Sequence, residues 1–339
     1  MIDLLFVLGS LALFFALGQP LCEALPGTVV KGRMLAAPVI GFGLFGVAMT
    51  LLYRFGVPLA AADAIAIVAA AGIVAWHRRS LVFSEAALRT IAAIGVVVLL
   101  CLVPKWIGGP QFWAFQGNDQ DQVNYLAYSA AMRARSYGDL MALTPATALD
   151  NDYLLGARSM LVARPTVCLA FAALATLSGR LTADVGYPFQ VVMQVNMLFA
   201  ATFLLLNCFR APLRRCLLLG LALTVGFFLQ YVFDIDAWSE LASLPMVLVG
   251  LTAAITSMAG SRSWRDAGTQ GATVAVTATS VLYFYPEAVL EFALPGLAAL
   301  VVAASVDRRR GVAATVAALA AAPVLCLPFW RATIGHLYR

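Results

Sequence analysis

Two aspartates spaced two apart, Asp119 and Asp121, stand in the most polar stretch of the chain, QGNDQDQVNYLAYSAAMR at 116–133. A carboxylate held at the edge of an apolar environment can act as a general base or as a ligand for a divalent cation, Mg2+ or Mn2+. Amides surround the pair: Asn118, Gln120, Gln122 and Asn124 could orient a polar ligand. After Asp121 the apolar residues Val123, Leu126, Ala127 and Ala130 recur at helical spacing, with Tyr125 beside them. Asn118 or Asp119 would cap that helix, so capping and solvation are the ordinary alternative for the acids. On a single helix Asp119 and Asp121 would not share a face. They converge only if one of them lies in the preceding turn.

Two more acidic turns occur further along. In QYVFDIDAWSELASLP, 230–245, Asp234 and Asp236 lie between apolar runs, and Glu240 follows Asp236 by four, on the same helical face. In YFYPEAVLEFALP, 283–295, Pro286 suits the start of a helix, Glu287 its first turn, and Glu291 the same face one turn deeper. Arg158 and Arg164 lie where the long polar stretch returns to apolar sequence. A guanidinium there could grip a phosphate with its fork of donors, or extend to lipid headgroups.

The elements that must position these residues are membrane helices. The 339 residues are 62% hydrophobic and 12% charged, against about 25% charged in a soluble domain, and the mean hydropathy is +0.90. Continuous apolar segments, rather than alternating ones, exclude a transmembrane β-barrel. The expected fold is an all-α, polytopic integral membrane protein of about ten or eleven transmembrane helices. They fall near 3–18, 35–53, 57–76, 86–104, 161–178, 187–208, 213–232, 239–258, 270–285, 289–305 and 311–330. This divides the chain into an N-terminal four-helix membrane segment, 1–105, an outer loop with an amphipathic surface helix, 106–160, and a C-terminal multi-helix segment, 161–339. The N-terminal apolar run lacks a basic leader and reads as a retained first helix, while the end of the chain just past a helix is consistent with a truncated form.

Basic residues collect in short loops: Lys31 with Arg33, His77 to Arg79, Arg210 to Arg215, Arg262 with Arg265, and Arg308 to Arg310. Placing all of them in the cytoplasm puts 106–160 and the acidic turns on the outer face. The crossings then disagree by one. Either 161–178 is re-entrant and packs without crossing, or one of the first four helices is misread. No basic tract interleaved with aromatics supports nucleic-acid binding. The chain has no P-loop, dinucleotide fingerprint or H-E-x-x-H. Six cysteines without a C-x-x-C pair read as apolar packing, and two histidines cannot build a histidine metal cluster.

GNDQDQVNYLAYSAAMR, following a membrane helix and followed by Arg-Pro and further helices, resembles the first outer loop of integral-membrane glycosyltransferases of the GT-C superfamily. The resemblance covers roughly residues 85–300. It implies a GT-C-like helix arrangement in a bacterial cytoplasmic (inner) membrane and sugar transfer from a polyprenyl-phosphate-linked donor to a glycan or lipid acceptor. Asp119 or Asp121 would be the catalytic carboxylate or metal contact. The family's acidic loop normally follows the first helix, whereas four precede it here. Two other classes remain open: a transporter or flippase for a lipid-linked or anionic substrate, and a non-catalytic membrane assembly partner.

Overall fold

The computed structural model of the protein describes residues 2–26, 30–77, 85–108, 121–145, 147, 151–209, 211–224, 238–260, 263–286 and 309–325. Those residues form helices and connecting turns. In chain order the α-helices are α1 (Ile2–Ala24), α2 (Ala37–Arg54), α3 (Leu59–His77), α4 (Glu85–Gly108), α5 (Asp121–Ala134), α6 (Tyr137–Met141), α7 (Asp152–Ala163), α8 (Thr166–Leu177), α9 (Thr182–Cys208), α10 (Leu213–Thr224), α11 (Trp238–Gly260), α12 (Trp264–Phe284) and α13 (Arg309–Leu325).

Five described segments are long and apolar enough to cross a bilayer: α1, α2 with the turn before it (Arg33–Arg54), α3, α9 and α11. The protein is thus a multi-pass, all-α membrane protein. Ten or eleven segments were expected. Of these, 289–305 lies outside the described residues and 213–232 is described only to Thr224. α12 is 21 residues long but less apolar, carrying Arg265, Asp266, Gln270 and a run of threonines. It is nonetheless built into the bundle, and Thr269, Thr273, Thr277 and Ser280 each donate their hydroxyl to a carbonyl one turn back.

Helix association in lipid depends on close packing rather than on exclusion of water. α1 and α2 cross at glycines for this reason. A Cβ on Gly41 would run into the Phe14 carbonyl, and one on Gly18 would run into the Ala37 carbonyl. Phe14 fills the gap beside the crossing, with its ring 5.0 Å from Phe42 and 5.4 Å from Phe45.

The two ends of the bundle differ in charge. At one end Arg33 donates Nη1 to the carbonyls of Glu23 (3.1 Å) and Leu25 (2.8 Å). Here His77 Nδ1 lies 2.5 Å from Glu23 Oε2, and the Lys31 backbone donates to Asn207 Oδ1 at 2.8 Å. α10 begins from this end with Arg214 and Arg215, and the Arg310 guanidinium lies 6.0 Å from the Trp264 ring centroid. At the opposite end Arg180 pairs with Asp3 (2.7 Å), and Tyr53 donates its hydroxyl to the Arg135 carbonyl (2.7 Å). The described residues of the short basic loops therefore gather at one end, while the opposite end, called non-basic for its net charge, sets Arg54, Arg133, Arg135, Arg158, Arg164 and Arg180 among acids.

The opposite end carries α5 to α8. α6 opens with a capping box in which Ser136 accepts from the Asp139 backbone N–H and the Asp139 carboxylate accepts from Ser136. Those Ser136 hydrogen bonds, from the hydroxyl first and then the backbone, hold the Asp139 carboxyl below the usual carboxylate range. Asn151 caps α7, accepting from the Leu154 N–H at 3.2 Å. α7 and α8 meet at Arg164-Pro165 with a bend of 115°. Pro165 cannot continue the ladder of α7, and it steers Arg164 out of helical geometry, to φ −155° and ψ 66°.

α7 and α8 enter and leave at the same end of the bundle, with the elbow between them set inward beside Gly46, midway along α2. The Thr166 hydroxyl meets Thr50, one turn from the end of α2, at 3.0 Å, and the turn after α8 holds Arg180 against Asp3. With 12 residues, α8 could span only about 18 Å. It is re-entrant, and α9 then runs from this end to the basic one. This removes the one-crossing conflict between the two halves of the sequence.

Candidate functional site

The centre of the non-basic end is an aromatic cluster. Tyr125 of α5 stacks on Trp238, the first residue of α11, with centroids 5.3 Å apart and planes 10° from parallel. Phe171 of α8 meets the same indole edge-on at 5.0 Å, and Phe189 of α9 lies 5.4 Å from it. The Tyr125 hydroxyl and Ser239 Oγ are 3.0 Å apart. Trp238 is fully buried, and its Nε1 has no hydrogen-bond partner among the described residues.

α5 is two-sided, with Leu126 and Ala127 half-buried between its faces. Tyr125, Ser129 and Met132 point inward, while Val123 and Ala130 are exposed. The stack on Trp238 sets which side of α5 faces the bundle.

Arg164 supplies positive charge beside this cluster. Its guanidinium carbon lies 5.4 Å from the Tyr285 ring centroid, a cation–π contact. The charge also reaches Tyr125. Burial pushes the Tyr125 hydroxyl up to about 12, and the Arg164 charge and the Ser239 hydrogen bond only partly oppose it. At neutral pH Tyr125 is thus a neutral hydroxyl that can donate a hydrogen bond, not a phenolate base.

Immediately after Arg164 comes the N-terminus of α8. No side chain caps it, and Thr166, Val167 and Cys168 are fully buried. The first N–H groups of a helix carry partial positive charge and normally need a partner. Arg164 and this terminus together make the elbow between α7 and α8 a place that favours an anion.

The structure brings together parts of all three acidic segments. Tyr125 comes from 116–133, Trp238 and Ser239 from 230–245, and Tyr285 from 283–295, with Arg164 among them. Glu240 is half-buried in the first turn of α11, next to Ser239, and its carbonyl accepts from Ser243 Oγ at 2.9 Å. Asn124 is half-buried in the first turn of α5. Arg158 is used elsewhere: its Nη1 donates to the Leu143 carbonyl at 2.7 Å, tying α7 to the segment after α6.

The remaining candidates lie outside the described residues: Asn118, Asp119, Asp234, Asp236, Glu287 and Glu291. Asp121 and Gln122 form the first turn of α5, and their side chains lie outside the description as well. Among the described residues no three His, Cys, Asp or Glu side chains converge as metal ligands. Divalent-cation binding by Asp119 and Asp121 is thus a matter for residues beyond that set.

Sequence reasoning passed over two buried groups. Asp63 is a lone acid in an apolar segment, a signal legible in the sequence. Asn196 lies midway along α9, fully buried, and both its amide atoms lack partners among the described residues. No protein-family profile matches the chain, and no curated protein or solved structure matches it.

Proposed function

We propose that the protein is a membrane glycosyltransferase that takes a sugar from a polyprenyl-phosphate-linked donor at the non-basic end of the bundle. By the bias of basic residues towards cytoplasmic loops, that end is the outer face of a bacterial cytoplasmic membrane. The observation that carries the reading is the elbow between α7 and α8, where Arg164 and the uncapped N-terminus of α8 lie beside a buried aromatic cluster. An amphiphilic donor needs a cationic partner for its phosphate and an apolar path for its chain, and this elbow sets a guanidinium and helix N–H groups beside apolar helices. The resemblance of 116–133 to a GT-C outer loop supports the same reading, and with it a GT-C-like arrangement of ten or eleven helices.

In this mechanism Asp119 or Asp121 takes the proton of the acceptor hydroxyl. The acceptor oxygen bonds to the anomeric carbon as the bond from that carbon to the phosphate oxygen breaks. The departing lipid phosphate gathers negative charge, which Arg164 and the α8 N–H groups stabilise. A divalent cation held by the aspartates would add to that stabilisation.

The test is turnover by the purified protein with candidate lipid-linked sugars. Arg164→Gln should lower kcat about 100-fold to 1,000-fold, the usual effect of removing a donor that stabilises developing charge. Asp119→Asn or Asp121→Asn should abolish transfer while binding persists. Unchanged turnover in all three variants overturns the reading. Asn196, a buried polar group inside a spanning helix, favours the second reading of a transporter or flippase. Movement of the intact lipid-linked substrate across vesicles without transfer would establish it.

A further inference from the structure

Asp63 is the one acidic residue of α3, a turn from its N-terminus and at the opposite end from His77. It is 2% exposed, and neither carboxyl oxygen has a hydrogen-bond partner among the described residues. A carboxyl shielded from water in this way is either neutral or balanced by a nearby cation. Arg133, near the end of α5, supplies the nearby positive charge. It forms no salt bridge with Asp63, and instead its Nη1 donates to the Arg180 carbonyl. Arg180 is itself committed, with Nη1 on Asp3 at 2.7 Å and Nη2 on the Asp184 carbonyl at 3.2 Å.

Among the described residues the helices packed most closely on α3 are α1, α2 and α8. α1 brings Asp3, already matched by Arg180, and α2 brings Tyr53 and Arg54. α8 has no charged residue from Thr166 to Leu177. Asp3 is therefore balanced, whereas Asp63 has only a share of Arg133.

We propose that Asp63 is a proton-binding site, with Arg133 the cation that competes with the proton. Binding takes one proton from water at this end of the bundle and leaves a neutral carboxylic acid. Releasing it leaves a carboxylate that draws the Arg133 guanidinium away from the Arg180 carbonyl. Arg133 is on the same helix as Tyr125, so the proton at Asp63 biases the seating of α5 against the aromatic cluster. The proposal is independent of glycosyl transfer.

Dicyclohexylcarbodiimide modifies protonated carboxyls in apolar surroundings, and peptide mass spectrometry locates the adduct. The full chain, purified in detergent, would be treated from pH 5.5 to pH 9. The expected result is an adduct on Asp63 that falls as the pH rises. In Arg133→Gln the adduct should persist to higher pH, with about tenfold more at the alkaline end, the factor that one pKa unit represents. Arg133→Lys should follow the wild type. An adduct indifferent to pH, or a pH profile unmoved by Arg133→Gln, overturns the proposal. If Asp63 takes no adduct, or Arg133→Gln does not fold, infrared difference spectra decide. A protonated-carboxyl band present in the wild type and missing in Asp63→Asn supports the site, and identical spectra overturn it.

Discussion

At the scale of single residues, the site depends on how Tyr125 and Arg164 share a small volume. The Tyr125 hydroxyl, held up at about 12 chiefly by burial, binds its proton more tightly in the folded protein than in an unfolded chain, where a tyrosine titrates near 10. Its contribution to stability is therefore fully present below about pH 10 and is lost as the pH rises through about 12. Thermal unfolding of wild type and Tyr125→Phe should converge over that window. The phenylalanine variant should be less stable at pH 8 by about 1 kcal/mol, the usual worth of one hydrogen bond, here to Ser239. A constant difference from pH 8 to pH 12 would rule out this role for the hydroxyl. The sequence pointed to the segments that hold these residues but chose their acids, because carboxylates are the visible carriers of chemistry. The stack of Tyr125 on Trp238 joins residues far apart in the chain, and no local spacing signals it. Arg164 was legible because an arginine before a proline at a polar-to-apolar boundary is conspicuous in itself.

At the scale of elements, the long helices follow from composition, and the short ones depend on contacts. α1, α2, α3, α9 and α11 were readable as continuous apolar runs. α8 was readable as a segment too short to cross comfortably, and the basic loops demanded one crossing fewer. Its 115° bend from α7 falls at Pro165, and its two ends are fixed by Thr50 and, through Arg180, by Asp3. The contact that seats α5, Tyr125 on Trp238, is aromatic and joins distant segments, so apolar periodicity alone did not single it out. The glycine crossing of α1 and α2 gives a further prediction. Gly41→Val places a branched side chain against the Phe14 backbone, which cannot yield as a flexible side chain would. We expect a loss of about 1–3 kcal/mol, read as a lower midpoint of thermal unfolding in detergent. Gly268→Ala, where an added Cβ meets nothing within 4 Å, should leave the midpoint in place or raise it slightly. Equal midpoints for Gly41→Val and the wild type would show that the crossing is looser than described.

At the scale of the whole molecule, the gathering of the short basic loops at one end predicts a topology. With the native cysteines replaced, a single cysteine at Pro145 should react with an impermeant maleimide applied to the outside of intact cells. One at Arg309 should react only after the membrane is opened. Reversed reactivity would invert the orientation and move the aromatic cluster to the cytoplasmic side. The re-entrant path of α8 also has a consequence for biogenesis. A translocon releases helices that cross, and α8 does not cross; its buried face is completed by Trp238, which is synthesised some sixty residues later. The packing of α8 can therefore be completed only after α11 has been made, so a chain that ends before Trp238 should leave Phe171 without its indole partner.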